Sequence, residues 1–261
     1  MLVGWRAFIR AWRDYPLEEG AWINGRYQVL SVIGMGSYGL TYCCLDGQHG
    51  TAVLLKQAKP SRRKLATSLL AREQAVLRQL EHPYIPACRD YFEYQQSAWL
   101  VTDYVEGETL EQQIFEQGRV FTEPEVLRWA LRLLDPIAHV HSKGYVHLDL
   151  RIPNVMICDE EVYLIDFGLA RNIGDYSRPP DRMPPEIDSD LEDAAHLMLF
   201  MLYSAYEPQA AEQEGSWREE LKLSASLELI LCRLLKLEGK PYVCAEELIQ
   251  DLEKCHRTDS G

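Results

Sequence analysis

The feature that most restricts the folds open to this chain is a change of hydrophobic period near residue 104. Before it, apolar residues gather in short β-branched and aromatic runs separated by turn residues; after it, they return every three or four positions. Segments 27–33, 40–45, 52–57, 91–94 and 98–104 read as strands, with Gly34, Gly36 and Gly39 between the first two. One helix interrupts them from Ser61, its stripe formed by Leu65, Leu69, Val76, Leu77 and Leu80 and its end marked by His82 and Pro83. The back half reads as helices at 109–117, 122–141, 194–203, 217–221, 227–237 and 245–254, with short strands at 155–158 and 162–165. Thr122 and Glu125 have capping-box spacing, while Pro136 removes a backbone donor from the helix they open. The 194–203 helix is apolar all round and reads as a buried central one. Together these patterns predict an α+β protein of two lobes: a β-rich part at 21–102, a link at 103–107, a helical part at 108–255 and a tail at 256–261, preceded by a helical extension at 1–20.

Composition narrows the function classes. Of 261 residues 47% are hydrophobic and 26% charged, the balance of a folded globular chain, and the formal charge of −13 speaks against a broad electrostatic grip on nucleic acid. The longest apolar run, 194–206, contains His196 and falls short of the roughly 20 residues that cross a bilayer, so no transmembrane segment is expected. Seven cysteines form no CxxC pair; neither a zinc site nor a disulfide framework is indicated, and a reducing cytoplasm is the expected compartment. The first residues lack the continuous apolar core of a secretory signal. Instead Leu2, Trp5, Phe8, Ile9 and Trp12 share one helical face opposite Arg6, Arg10 and Arg13. Such an amphipathic helix within 1–15 either packs on the domain that follows or lies on an anionic membrane surface.

Several residues break these patterns in a chemically informative way. Glu73 points with an apolar helix face, where a lone carboxylate is costly, and Lys56 at the end of the third strand is its natural cation. The glycines of IGMGSYG let a polyphosphate approach the backbone, although a plain hairpin loop would look the same, and their position between two strands argues against a dinucleotide fold. Downstream, HLDLRIPN sets Asp149 and Asn154 five residues apart in an irregular loop, and DFG supplies Asp166. Two carboxylates and an amide oxygen are hard ligands of the kind Mg²⁺ takes beside phosphates.

In this order, GMGSYG, LLK, Glu73, HLDLRIPN, DFG and PPE resemble the eukaryotic-type (Hanks-type) Ser/Thr protein kinase family, in the compact form of its soluble bacterial members, over about residues 27–252. The resemblance implies a two-lobed kinase fold with ATP in the cleft between the lobes. It places Ile33, Gly34, Met35, Gly36, Ser37, Tyr38 and Gly39 over the phosphates, Thr41 and Leu54 over the adenine, Thr102 at the gatekeeper position, and the backbone of Asp103 to Val105 along the adenine edge. Lys56 would hold the α- and β-phosphates and pair with Glu73. Asp149 would accept the proton of the substrate hydroxyl, and Asn154 and Asp166 would bind Mg²⁺ or Mn²⁺. Arg151 stands where these enzymes usually carry a lysine, a permanent cation for the transferring phosphoryl group. The resemblance also implies an internal spine of Leu77, His147 and Phe167, a brace for the catalytic loop at Asp190, and a structural pair of Glu186 with Lys240. The implied reaction is transfer to Ser/Thr hydroxyls of a protein substrate, autophosphorylation included.

The sequence departs from the family's pattern at a few places. Leu148 precedes Asp149 where many kinases have an arginine that grips a phosphorylated activation loop. The 166–186 stretch is short and offers only Tyr176 and Ser177 as hydroxyls, so no activation-loop switch is expected. Pro179 replaces a hydroxyl residue that contacts the catalytic aspartate, and Leu54 adds bulk over the adenine. These departures keep two other readings open: a pseudokinase or scaffold that binds nucleotide and partner proteins without efficient catalysis, and a small-molecule kinase, against which PPE and Asp190 speak. The acidic Glu212, Glu214, Glu219 and Glu220 read as solvated surface.

Overall fold

The computed structural model describes residues 14–174, 187–207 and 215–259. The amphipathic segment at 1–13, Tyr176, Ser177, Pro179, Glu186, Glu212 and Glu214 lie outside the described residues. The chain divides into two units, one of residues 1–81 and 86–105 and one of residues 82–85 and 106–261.

In the first unit, short β-branched and aromatic runs joined by tight turns produce an antiparallel sheet. β1 (Trp22–Ile23), β2 (Tyr27–Met35), β3 (Gly39–Asp46), β4 (Ala52–Ala58), β5 (Cys88–Tyr94) and β6 (Ser97–Asp103) lie in the order β1-β2-β3-β4-β6-β5. Ile23, Tyr27, Val29, Leu40, Tyr42, Leu55 and Trp99 form a core on this sheet. Helix α1 (Arg63–Leu77) follows a 3₁₀ turn at Pro60–Arg62 and packs on β4, β5 and β6. Strand β6 is thereby covered on both faces, and residues 97–102 are buried without alternation. The stripe of α1 differs from the expected one: Ala66, Leu70, Glu73, Val76 and Leu77 are buried, whereas Leu65 is exposed and Leu69 only half-buried. Glu73 sets the rotation of the helix because it must reach Lys56, so the positions seven and three before it and four after it face the sheet.

The second unit is mostly helical. It comprises β7 (Glu108–Thr109), α2 (Glu123–Ser142), β8 (Tyr145–Val146), β9 (Val155–Cys158), β10 (Glu161–Leu164), β11 (Arg171–Asn172), α3 (Ile187–Tyr203), α4 (Trp217–Glu220), α5 (Ala225–Leu234) and α6 (Ala245–Asp259). Helix α2 is its centre and packs on α3, α6, β8 and β10. At its start the carboxylate of Glu125 accepts the N–H of Thr122 at 2.9 Å and its hydroxyl at 2.7 Å, and the helix continues through a buried Pro136. The four residues 82–85 belong to this unit by their bonds. His82 Nε2 is 3.3 Å from Asp135 Oδ2, Tyr84 O accepts the N–H of Leu164 at 3.0 Å, and Tyr84 stacks edge-on against Tyr163.

Of two helices expected here, one forms nearly as expected and one differs. The helix expected at 109–117 is present over 110–116, its Gln112–Glu116 part π-type, and Gly118 at φ +64° follows it; Glu108 and Thr109 before it pair with β9. Thr109 and Gln112 cap the start of this helix reciprocally: the Gln112 side chain accepts the Thr109 N–H at 2.9 Å, and the Thr109 hydroxyl oxygen accepts the Gln112 N–H at 3.1 Å. Gly107, just before, has no room for a side chain: a Cβ would stand 2.6 Å from Ile157 O. Helix α3 begins at Ile187 and is not buried all round. His196 is exposed and Phe200 is 48% exposed on one face, while Ala195, Leu197, Met198 and Met201 fill the other. All seven cysteines are free thiols, and no helix among the described residues is long and apolar enough to cross a membrane.

Candidate active site

The sequence-predicted residues of the first unit fall on the β2–β3 hairpin, on β4 and α1, and at the end of β6. Register shifts between Val29 and Ser31 and between Val32 and Gly34 bend β2 before the loop, which closes with Gly36 N–H donating to Gly39 O at 3.0 Å. Ile33, Met35 and Tyr38 are exposed on this hairpin. A Cβ at Gly34 would meet nothing within 4 Å and one at Gly36 only Gly39 O at 3.8 Å, so the space a side chain would fill there is open to a ligand; Gly39 is crowded by Gln57 O at 3.2 Å. Thr41 pairs with Lys56 across β3 and β4, and Leu54 pairs with Thr102 across β4 and β6. Lys56 Nζ lies 2.6 Å from Glu73 Oε1, the two side chains being 17% and 5% exposed. This bond anchors the ammonium and satisfies a carboxylate that burial alone would penalise.

Thr102 is buried and its hydroxyl donates to Asp103 O at 3.3 Å. The Asp103 side chain is engaged: it accepts the Ala87 N–H at 3.1 Å and a fork from Arg89 at 2.5 and 2.9 Å, and its own N–H donates to Ala87 O. These bonds fix the strand end from which Val105, 9% exposed, continues.

In the second unit, β8 delivers a loop whose backbone is held from α3. Asp190, with no solvent exposure, accepts the N–H of Leu148 on Oδ1 and that of His147 on Oδ2, each at 2.8 Å, and the ring of His141 at 2.9 Å. These bonds keep Leu148 at φ +62°, a left-handed conformation that side-chain-bearing residues rarely adopt. His147 lies fully buried, its ring 3.2 Å from Ile165 O and edge-on to Phe167 at 4.8 Å; burial holds its imidazole below the usual range, so it is neutral. The involvement of His141 was not legible in its helical stripe, since only its approach to Asp190 through space reveals it.

Asp149 follows Leu148 and is clamped on two sides. Arg151 Nε is 2.7 Å from its Oδ1, and the Asn154 amide donates to its backbone oxygen at 2.9 Å and to Oδ2 at 2.8 Å. With both amide hydrogens directed at Asp149, the buried Asn154 presents its carbonyl oxygen as an acceptor. Asn154 O accepts the N–H of Ile165, which brings Asp166 to the same place; Asp166 sits at φ +63° with Oδ1 accepting the Gly168 N–H at 3.2 Å. An amide oxygen and a carboxylate suit Mg²⁺, which takes few protein ligands and completes its shell with water and phosphate oxygens. Among the described residues no group of three or more His, Cys, Asp or Glu side chains forms a metal cage. Leu77 lies buried in the first unit and Lys240 is exposed in the second.

These features define a class. A family model described as the protein kinase domain matches residues 27–186, and the chain belongs to that family. Among relatives, it is 34% identical over 247 residues to the probable serine/threonine-protein kinase YbdM of Bacillus subtilis, covering 92% of this chain and 93% of that protein. It is 27% identical to serine/threonine-protein kinase B of Synechocystis, covering 88% of this chain but only 47% of that longer protein. The same identity and coverage relate it to serine/threonine-protein kinase PknA of Nostoc.

Proposed function

We propose that this chain is an ATP-dependent protein kinase that transfers a phosphoryl group to Ser/Thr hydroxyls of proteins, its own included. The observation that carries this reading is the Asp149 clamp: the carboxylate is oriented by Arg151 and Asn154, and the loop behind it is braced by Asp190. In this reading Asp149 accepts the hydroxyl proton, and Arg151 swings between Asp149 and the developing charge on the transferred group. Asn154 and Asp166 hold Mg²⁺ or Mn²⁺, which when bound supplies charge neutralisation between the phosphates. Lys56, fixed by Glu73, takes the α- and β-phosphates of the substrate ATP. The hairpin from Ile33 to Gly39 covers them, and Thr41, Leu54, Thr102 and the 103–105 backbone receive the adenine. The β-rich part at 21–102, the link at 103–107 and the helical part at 108–255 are the working divisions, and the cytoplasm is the compartment.

The test is ADP formation from Mg²⁺-ATP by the purified chain beside folded Asp149→Asn and Asp166→Ala variants. ADP that depends on both aspartates supports the reading. A folded chain that binds ATP without forming ADP, with or without candidate protein acceptors, would leave the scaffold reading in its place.

A further inference from the structure

The helix that carries Glu73 starts without the usual aids. Neither Lys59, before the 3₁₀ turn, nor Arg62, before α1, caps it with a side chain, and its first turn holds no acidic residue. Arg62, Arg63 and Lys64 instead set cations at the end where the unpaired N–H groups of a helix already gather positive charge. The missing carboxylate comes from 47 residues upstream: Asp14 Oδ1 accepts the Ser61 N–H at 3.0 Å, and Oδ2 accepts the Ser61 hydroxyl at 2.5 Å. Pro60 has no N–H and that of Arg62 donates to Lys59 O at 3.0 Å, so the Asp14 bond completes the opening turn.

Asp14 is itself held. The N–H of Leu17 donates to the Tyr42 hydroxyl oxygen at 3.3 Å, Leu17 packs on the core of the sheet, and the Tyr42 hydroxyl donates to Gln57 Oε1 at 3.0 Å. Farther along, the Gly20 N–H donates to Val29 O at 2.8 Å and the Val29 N–H to Ala21 O at 2.9 Å. The same turn also reaches the glycine hairpin. Lys59 N–H donates to Tyr38 O at 2.9 Å, and the Arg62 guanidinium lies 5.1 Å from the centre of the Tyr38 ring. The turn at 59–62 is thus clamped between segment 14–21 and the hairpin, and Glu73 follows about three turns along the helix it opens.

We propose that Asp14 is a positioning residue for the nucleotide: by closing the turn at 59–62 it sets both the helix that presents Glu73 to Lys56 and the hairpin that covers the phosphates. This rests on the kinase reading above. Without the clamp, the arrangement that receives ATP is held by only a fraction of the molecules, and the apparent affinity falls by that fraction. Bound ATP restores the arrangement, so the loss falls on binding and not on turnover. The charge of Asp14 counts beside its bonds, because the turn it closes is basic.

The experiment measures the Kd for Mg²⁺-ATP by calorimetry, and ADP formation, for the full-length parent, Asp14→Ala, Asp14→Asn, Ser61→Ala and the double alanine variant. All are compared at a temperature where each is folded, with amide exchange at Ser61 and Lys59 read by NMR. Asp14→Ala should weaken ATP about fivefold, raise the KM for ATP likewise with kcat within about twofold, and speed exchange at both amides. Asp14→Asn, which can still bond to the Ser61 N–H and Oγ, should recover part of the loss. Ser61→Ala gives up one bond of two and should weaken ATP about twofold, and the double variant should bind no more weakly than Asp14→Ala alone. A merely structural residue would lower the melting temperature and leave the Kd of the folded protein at its parental value. A parental Kd in Asp14→Ala would therefore overturn the proposal, as would parental exchange at Lys59 or additive losses in the double variant. Should Asp14→Ala not fold, Ser61→Ala decides by the same Kd and exchange. A parent that binds ATP without forming ADP sinks the kinase reading alone, because Kd and exchange still decide what Asp14 does; a parent that binds no ATP overturns both.

Discussion

Replacing Asp190 tests how much of the active loop depends on one buried carboxylate. Its two oxygens accept two backbone N–H groups at 2.8 Å and a histidine ring at 2.9 Å, with no exposure to water. Alanine orphans both amides, each costing about 1–3 kcal/mol, so Asp190→Ala should lose about 2–6 kcal/mol. That is a large share of the roughly 5–15 kcal/mol by which domains are stable. Asparagine keeps one accepting oxygen and turns an amide hydrogen toward the other donors, so Asp190→Asn should lose about half as much. The left-handed Leu148 holds strain of about 1–3 kcal/mol that only these bonds maintain. Once released, it turns Asp149 away from Arg151 and Asn154. Urea unfolding at constant slope gives the stability loss, and ADP formation by the folded fraction gives the catalytic one. An Asp190→Asn variant that unfolds at the parental midpoint and turns over at the parental rate would refute the reasoning.

Two further perturbations probe the first unit. Lys56→Met leaves the buried Glu73 without its cation and should cost about 3–5 kcal/mol, whereas Glu73→Gln keeps a hydrogen bond and should cost less; both should reduce the melting shift produced by ATP. A Lys56→Met chain with the parental melting temperature and ATP shift would show that the pair does neither job. Asp46 accepts a fork from Arg26 at 2.9 and 2.7 Å, and this bond holds its carboxyl well below the usual carboxylate range. Its contribution is complete above about pH 4 and is lost as the pH falls through the depressed folded value. The stability gap between the parent and Asp46→Asn, measured in urea, should accordingly shrink on acidification; a gap independent of pH would contradict the assignment.

Much of the fold is legible because its signals are local. The strands of the first unit follow from β-branched runs and turn residues that act over a few positions. The inward direction of Glu73 is legible for the same reason, but the rotation of α1 is off by one residue, since a bond to a strand seventeen residues away sets it. The helix expected at 109–117 is legible too, since the Thr109 and Gln112 that cap it lie three residues apart, while its π-type 112–116 part has no local signal. In α3, apolar composition does not say which face is covered, and His196 and Phe200 are the outcome. The candidate site shows the same division. Asp149, Asn154 and Asp166 stand out by residue type and spacing, whereas the left-handed Leu148 and the contact of His141 with Asp190 are products of approach through space.

Residues 82–85 belong with the helical unit although the chain on both sides of them belongs with the sheet. This has a consequence for how such proteins can be recombined. A single crossover at 105 between two relatives would bring in a foreign set of partners for Asp135, Tyr163 and Leu164, since His82 and Tyr84 travel with the other half. Chimeras that move 82–85 together with 106 onward should keep those partners matched, so inheritance of this fold by halves needs three crossovers, after 81, 85 and 105, and not one.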